Sequence, residues 1–313
     1  MLMKLPASNL SSITNKVKNI PHKLRREFYR IPPFQTIKNR AYQEALDNHA
    51  NLLPDLDEQG TLIVDTLRQN GTCVIPLEEL ALDTTPSMMS KAFALADKLK
   101  LPNAQIVQGN SCEIGSSQED LREFTEILLW ALEPKLLNII ENYISLPILY
   151  QGFAMRKSIV DGQCSGVRKW HIDWEDRRTI KIIIYLNDVT AGGGPYDYIS
   201  RHITSEAIRK LNYYNLGYVS DREMMAVVPK SNWTSCLGKV GSMVISDTSS
   251  VFHRAQPPTE RERFSITFCY TSAMPQVLWR GKKITQQQWE LIDSSTNQRQ
   301  KSCLHKKRLT EFV

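Results

Sequence analysis

The sequence lacks the cysteine patterns that mark a disulfide framework or a zinc ribbon. Six cysteines are scattered through 313 residues without any C-x-x-C pair: Cys73, Cys112, Cys164, Cys236, Cys269 and Cys303. Zinc ribbons and disulfide-rich domains need closely spaced or regularly paired cysteines. We therefore expect buried, chemically inactive thiols and a reducing compartment, which predicts a cytoplasmic protein.

Long apolar runs are also missing. No segment approaches the roughly 18–20 consecutive apolar residues that a membrane-spanning helix needs. The opening stretch, MLMKLPASNLSSITNK, has no apolar centre of the kind found in secretory signals. No internal repeat or low-complexity block is present. With 42% hydrophobic and 23% charged residues, the composition is that of a globular protein with one large core or two modest ones.

Charge is unevenly distributed along the chain. Residues 1–50 carry nine Lys and Arg against three Asp and Glu, and residues 276–313 carry eight against three, so that the middle is mildly acidic. Such ends are typical of solvated tails, and they are also suited to peripheral contact with an anionic surface. We expect no nucleic-acid partner, and the sequence leaves the oligomeric state open.

The first half of the chain reads as helical after a basic extension over residues 1–50. An amphipathic helix is suggested over residues 13–24, and residues 51–145 form a mainly helical region. Within that region, helices are predicted over residues 55–70, 87–100 and 117–132, followed by one that starts at Pro134. A short strand is predicted over residues 72–76.

Strand patterns dominate from about residue 146. Apolar or alternating runs cover residues 148–160, 179–186, 240–246 and 264–271, separated by glycine-rich turns such as Ala191-Gly192-Gly193-Gly194-Pro195. This predicts a β-sandwich or barrel over residues 146–275, with an insertion over residues 200–235 that covers a site. A short helix near residues 285–292 then leads into a basic C-terminal tail over residues 276–313.

A His-x-Asp pair stands at the start of one predicted strand. In WHIDWEDRRTIKIIIYL, His171 and Asp173 are two residues apart, so on an extended chain they face the same side. Of the remaining histidines, His253 is distinguished by closing a strand–turn–strand segment. Two histidines and one carboxylate form the facial triad of non-haem Fe(II) sites, which keep positions open for further ligands.

Residues around this triad fit a dicarboxylate cosubstrate. Arg263 opens a strand ten residues after His253, and Ser265 faces the same side, so that a guanidinium fork and a hydroxyl are aimed together. On the strand after Asp173, Lys181 and Tyr185 share one face, and both are candidates for contact with the cosubstrate. If that face is internal, Tyr185 can donate to the same carboxylate, and Lys181 lies nearer the metal. Arg261 is an alternative to Arg263, because strand alternation does not separate them.

From about Thr61 to Ser272 the chain resembles the Fe(II)/2-oxoglutarate-dependent dioxygenases, closest to their phytanoyl-CoA dioxygenase-like branch. The segments that carry the resemblance are QNGTCVIP, WHIDW, YLNDVTAGGGPYDYIS, KVGSMVISDTSSVFHRA and RERFSITF. The resemblance implies an α+β protein with a mainly β core, a double-stranded β-helix (a cupin-like jelly roll) with N-terminal helices packed on it.

The same resemblance implies site residues. Fe(II) would be bound by His171, Asp173 and His253, and 2-oxoglutarate by Arg263 with Ser265 and Tyr185. O₂ would be the second cosubstrate, with ascorbate as an optional reductant. Halogenating relatives have Gly or Ala in place of the carboxylate, so Asp173 disfavours halogenation.

The substrate is not defined by these motifs. We expect a small-molecule metabolite of lipid or glycan type, oxidised by hydroxylation, with desaturation or ring closure as alternatives. A non-catalytic jelly-roll module with a relic metal site is the alternative outside enzymes. Four basic residues near the motif leave an anionic substrate open, although they are equally suited to the surface: Arg156, Lys157, Arg177 and Arg178. Trp170 and Trp174 flank the ligand pair and are expected to point away from it as packing residues.

Overall fold

The computed structural model describes residues 32–100, 125–213, 217–276 and 286–304, and it divides into two compact units, Met1–Leu52 and Leu53–Val313. In the first unit, helix α1 (Pro32–His49) is followed by a 3-10 turn, Ala50–Leu52. The sequence did not predict this helix, which begins at the Pro32-Pro33 pair because proline is well tolerated in the first helical turn. The amphipathic helix suggested over residues 13–24 lies outside the described residues.

The second unit begins with helices that the sequence had largely predicted. They are α2 (Glu58–Asn70), α3 (Thr85–Lys98), α4 (Thr125–Ala131) and α5 (Pro134–Ile144). Helix α2 starts where the Asp57 carboxylate accepts a hydrogen bond from the Gly60 N–H at 2.7 Å, and it ends at Gly71 in the left-handed conformation. Most of the segment before α4 lies outside the described residues.

In the described part of the chain, eight strands form two antiparallel sheets. The larger sheet has the order β1-β6-β3-β8-β2 and the smaller sheet the order β5-β4-β7. The strands are β1 (Thr72–Pro76), β2 (Ile148–Ser158), β3 (Ile180–Tyr185), β4 (Tyr196–Ile199), β5 (Trp233–Cys236), β6 (Ser242–Asp247), β7 (His253–Ala255) and β8 (Arg263–Ser272). This α+β jelly-roll core confirms the predicted fold class. Strand β1 comes from the helical region and pairs with β6, which extends the larger sheet beyond the predicted core.

The two faces of the larger sheet differ in chemistry. Even-numbered residues of β3 and β8, such as Ile182 and Phe268, are fully buried on one face, where Phe268 lies 4.9 Å from the Trp130 ring of α4. Several odd-numbered residues, among them Lys181 and Arg263, line an internal cavity on the other face. Burial on both faces explains why these strands read as continuous apolar runs rather than as a clean alternation.

The insertion and the C-terminal region both pack against the core. The insertion contains α6 (Arg201–Lys210) and α7 (Asp221–Met225), which bury an apolar cluster that includes Trp170 and Phe252. The region predicted as a basic tail contains α8 (Gln286–Ser295) and α9 (Gln298–Ser302). In α9, Arg299 pairs with Glu141 of α5 at 2.8 Å, so this part of the region is docked on the core. Within the described residues, no helix is both long and apolar enough to cross a membrane.

Gly71 joins α2 to β1 at a point where a side chain has no room. Its φ is +82°, and an added Cβ would lie 2.4 Å from the buried Val251 side chain. We expect Gly71→Ala to lower the free energy of unfolding by about 2 kcal/mol, through positive-φ strain plus overpacking. Gly162 also has positive φ (+68°) but has open space around it. Gly162→Ala should therefore cost only about 1 kcal/mol, from strain alone. Denaturant unfolding of both variants measures the difference, and equal losses would contradict the packing argument.

Candidate metal centre

Three ligand-type side chains converge beside the smaller sheet. His171 follows a 3-10 turn (Gly166–Arg168), and its main chain exchanges two hydrogen bonds of 3.0 Å with His253, the first residue of β7. The Asp173 N–H donates to the Thr248 carbonyl at 2.9 Å, which anchors the third member. One donor atom from each of His171, Asp173 and His253 lies within 4.8 Å of the others. The predicted triad is therefore brought together.

Both histidines are oriented by carbonyl groups behind them. The Nδ1 of His171 lies 2.8 Å from the Lys169 carbonyl, and the Nδ1 of His253 lies 3.2 Å from the Val251 carbonyl. A carbonyl oxygen only accepts, so each Nδ1 carries the proton and each Nε2 presents a lone pair. The two Nε2 atoms lie 3.8 Å and 3.5 Å from the carboxylate oxygens of Asp173. This is the tautomer that a metal-binding imidazole needs.

The charge states of the triad also suit a divalent cation. Burial lowers the pKa of His171, and burial together with His171 lowers the pKa of His253 to about 3. Burial alone would raise the pKa of Asp173, but the ammonium group of Lys181 outweighs it and holds the pKa of this carboxyl well below its usual range. At neutral pH the site therefore offers two neutral imidazoles and one carboxylate, which bind a metal without first losing a proton.

Lys181 lies at the metal end of the cavity, as strand alternation indicated. Its ammonium group donates to Asp173 Oδ2 at 2.5 Å and lies 3.4 Å from Glu175 Oε1. Burial opposes the charge on Lys181, but Asp173 and Glu175 outweigh it and raise the pKa of the lysine. In this structure Lys181 thus holds the carboxylate of a ligand residue, and its predicted contact with the cosubstrate stays a prediction.

A cavity of about 560 Å³, including its open mouth, adjoins the triad. It is lined by Arg156, Val167, His171, Asp173, Lys181, Ile183, Tyr196, Thr248, His253, Arg254, Ala255, Arg263, Ser265 and Thr267. The lining combines the three ligand-type residues with the predicted Arg-x-Ser pair. The three ligand-type residues and the Arg-x-Ser pair therefore line one cavity, and such a cavity is the usual form of a small-molecule site.

Arg263 and Ser265 stand on adjacent inward positions of β8. Arg263 is 4% exposed, donates to the carbonyl of Gly194, and lies 3.4 Å from the hydroxyl of Ser158 on β2. Ser158 is its register partner, so the two side chains lie on the same face of the sheet. Arg261, the alternative anchor, is exposed and does not line the cavity. Of the two arginines, the structure places Arg263 beside the triad.

Tyr185 does not line the cavity, in contrast to the sequence-based expectation. Its hydroxyl donates to the Cys236 carbonyl at 2.9 Å and accepts from the Tyr196 N–H at 3.0 Å. Strand alternation correctly indicated its face, because Tyr185 lies in the apolar cluster between the sheets with Val189 and Val244. Alternation predicts the face on which a side chain lies but not its position along that face. Here the Tyr185 hydroxyl forms hydrogen bonds with the main chain of the smaller sheet instead.

Tyr196, which was not singled out from the sequence, is the tyrosine that lines the cavity. Its ring stacks on His253, with 5.6 Å between centroids and 23° between planes, and its hydroxyl donates to Ser246 at 2.8 Å. The sequence feature that points to Tyr196 is YDYIS, a segment with strand-like alternation directly after the glycine-rich turn. Which residue of this segment faces the cavity could not be predicted, because this depends on the pairing of β4 with β7.

The basic residues near the motif differ in position. Arg156 lines the cavity, whereas Lys157 pairs with Glu262 at 3.0 Å and Arg178 donates to the Tyr143 carbonyl. Of these three residues, Arg156 therefore lies on the cavity wall, whereas Lys157 and Arg178 do not line the cavity.

Comparisons with known proteins gave structural neighbours but no sequence relative. No protein-family model matches the sequence, and no curated protein matches it. The epimerase SnoN, in complex with Fe3+, alpha ketoglutarate and nogalamycin RO, is similar over 69% of this chain and 85% of its own, with 12% identity and a TM-score of 0.49. The alpha ketoglutarate dependent carbocyclase SnoK is similar over 73% and 95%, with 15% identity and a TM-score of 0.46.

HygX from Streptomyces hygroscopicus, with nickel and 2-oxoglutarate bound, is similar over 72% of this chain and 90% of its own, with 13% identity and a TM-score of 0.47. At these identities and TM-scores, the evidence for function lies in the side chains of the site itself.

Proposed function

We propose that this protein is an Fe(II)- and 2-oxoglutarate-dependent oxygenase. The observation that carries the proposal is the shared cavity, in which two Nε2 lone pairs and one ionised carboxylate converge beside a buried Arg-x-Ser pair. Two imidazoles with one carboxylate are the donor set of non-haem Fe(II) sites that keep positions open. The tautomer of the two histidines, the charge of Asp173 and the spacing of the three donor atoms all suit Fe(II). The residues of the site therefore support the assignment of this metal.

Each residue has a distinct part in the proposed reaction. His171, Asp173 and His253 hold Fe(II), and Lys181 fixes the second oxygen of the Asp173 carboxylate. Arg263 and Ser265 bind the distal carboxylate of 2-oxoglutarate, because a guanidinium fork and a hydroxyl match its geometry. The walls formed by Val167, Ile183 and Tyr196 keep water from the reacting groups. Together, bound Fe(II) and 2-oxoglutarate supply oxidation of a substrate C–H bond to C–OH by O₂, with release of succinate and CO₂.

We assign the substrate to small-molecule metabolites of lipid or glycan type, and the outcome to hydroxylation, in keeping with the resemblance to the phytanoyl-CoA dioxygenase-like branch. Desaturation and ring closure use the same cofactors and differ in the product. Hydroxylation adds one oxygen to the substrate mass, whereas desaturation and ring closure each remove two hydrogens. Product mass therefore separates these outcomes once a substrate is found.

The proposal is tested with the full chain, Fe(II), ascorbate and 2-oxoglutarate. We expect a charge-transfer absorption when 2-oxoglutarate is added to the Fe(II) protein without oxygen, and succinate once oxygen is admitted. Omitting Fe(II) should remove both signals, and candidate substrates should speed up succinate formation. The control is Asp188→Ala, which removes an exposed carboxylate paired with Lys239 and should change neither signal. Metal binding without 2-oxoglutarate binding would instead indicate a jelly-roll module with a relic metal site.

A further inference from the structure

The chain neighbours of the two histidine ligands share a partner on the far side of the smaller sheet. Trp170 precedes His171 and Arg254 follows His253, and both are buried, at 0% and 6% exposure. In extended chain, neighbouring side chains point to opposite faces. The histidine side chains therefore point to one face and the Trp170 and Arg254 side chains to the other, although Arg254 also forms part of the cavity wall.

The Trp170 and Arg254 side chains contact each other. The guanidinium carbon of Arg254 lies 4.6 Å from the centroid of the Trp170 ring and 5.3 Å from that of Trp233 on β5. The Nε of Arg254 donates to Asp197 Oδ2 at 2.9 Å, so this cation on β7 forms an ion pair with a carboxylate on β4. A desolvated cation between aromatic faces and carboxylates is held in one orientation.

A single carboxylate oxygen of the insertion joins this pair. Asp221 Oδ1 accepts from the indole N–H of Trp170 at 3.1 Å and also from the guanidinium of Arg254. Asp221 is the first residue of α7, which is fixed by a capping box between Ser220 and Glu223. The position of this carboxylate is therefore set by the insertion and not by either ligand strand.

The main chain strengthens the same connection. Trp170 and Val219 exchange two hydrogen bonds, of 3.0 Å and 2.8 Å, in an antiparallel bridge. His171 and His253 form the next bridge, so residues 219, 170–171 and 253 lie side by side. The insertion is thus hydrogen-bonded directly to the segment that carries His171 and Asp173, the first two ligand-type residues.

We propose that Asp221 is a positioning residue for the metal centre. By binding Trp170 and Arg254 through one oxygen, it fixes the backbone on either side of the site and hence the directions of His171 and His253. Metal sites lose affinity when the groups behind their ligands are removed, because the ligands must then be ordered by the metal itself. This inference rests on the proposed function, since it assumes that the triad binds a divalent cation.

The test is a calorimetric titration of the full chain with Co(II) alone, which needs neither substrate nor turnover. We expect Asp221→Ala to weaken Co(II) binding by roughly tenfold, the lower end of the range for outer-shell changes. Asp221→Asn keeps one acceptor oxygen but loses the charge that faces Arg254, and it should give an intermediate loss. The visible absorption of bound Co(II) should change in both variants, because it reports ligand geometry rather than global stability.

Asp188→Ala is a closely matched control. Asp188 is 40% exposed and pairs with Lys239, while Asp221 is 43% exposed and pairs with Arg254, but Asp188 lies away from both histidines. This control should bind Co(II) with unchanged affinity and spectrum. If Asp221→Ala and Asp221→Asn melt at lower temperature yet keep the Co(II) affinity and spectrum, the role is purely structural and the inference is overturned. If the unaltered protein does not bind Co(II), the proposed function fails and the inference fails with it.

Discussion

Replacing Asp173 by asparagine is expected to weaken divalent-metal binding at least a hundredfold. The carboxylate is the only anionic member of the triad, and it faces both Nε2 atoms within 4 Å. An amide of the same shape carries no charge and is a poor ligand for a hard cation. Isothermal titration with Co(II) measures the loss directly.

The asparagine variant is preferable to alanine because of Lys181. Removing the whole carboxylate would leave the buried ammonium group with Glu175 as its described acidic partner, and an uncompensated buried charge is strongly destabilising. The amide oxygen of Asp173→Asn can still accept from Lys181, so the fold should survive. Asp188→Ala serves as control. Unchanged Co(II) affinity in a folded Asp173→Asn protein would show that the triad is not the metal centre.

The cluster of three ligand-type residues could be predicted from the sequence because two of its members lie on one short segment. His171 and Asp173 lie on one extended segment, where a spacing of two places both side chains on the same side. His253 and Arg263 were found by their positions at strand ends, which turns and apolar runs locate well. The choice between Arg261 and Arg263 needed the fold, because only the path of the chain into β8 leaves one exposed and buries the other.

Tyr185 shows where this kind of prediction stops. Its face followed from alternation, but its hydrogen-bond partners, the main chain at Cys236 and Tyr196, come from the opposite sheet. The same holds for Asp221, whose partners Trp170 and Arg254 are 51 and 33 residues away along the chain. Contacts at such separations depend on sheet pairing, and no periodicity of a single segment encodes them.

The insertion illustrates the same limit at the level of whole elements. Residues 200–235 were predicted to cover a site. They supply two helices that pack against the segment carrying His171, and most of β5, an edge strand of the smaller sheet. Helical spacing was readable in α6, but the antiparallel bridge of Val219 to Trp170 was not. The insertion is therefore part of the framework that holds the ligands, and its role as a lid stays a prediction.

Replacing Arg263 by methionine is expected to weaken 2-oxoglutarate binding to the Co(II)-loaded protein by about a hundredfold, while Co(II) affinity stays within twofold. Loss of one partner of a buried charge pair costs about 2–5 kcal/mol, and a hundredfold lies within this range. Arg263→Lys keeps the charge without the fork and should lose about tenfold, because a lysine cannot make the two parallel hydrogen bonds. Titration of each metal-loaded variant with 2-oxoglutarate measures both effects.

Two further measurements make this result interpretable. Arg263 also donates to Gly194 and contacts Ser158, so its loss should lower the melting temperature, and an unchanged Co(II) affinity shows that the triad remains intact. Arg261→Met is the matched control, since Arg261 lies two residues earlier and is exposed. If Arg261→Met weakens 2-oxoglutarate binding and Arg263→Met does not, the anchor is Arg261. The cosubstrate would then extend toward the open mouth of the cavity and not into the space between the sheets.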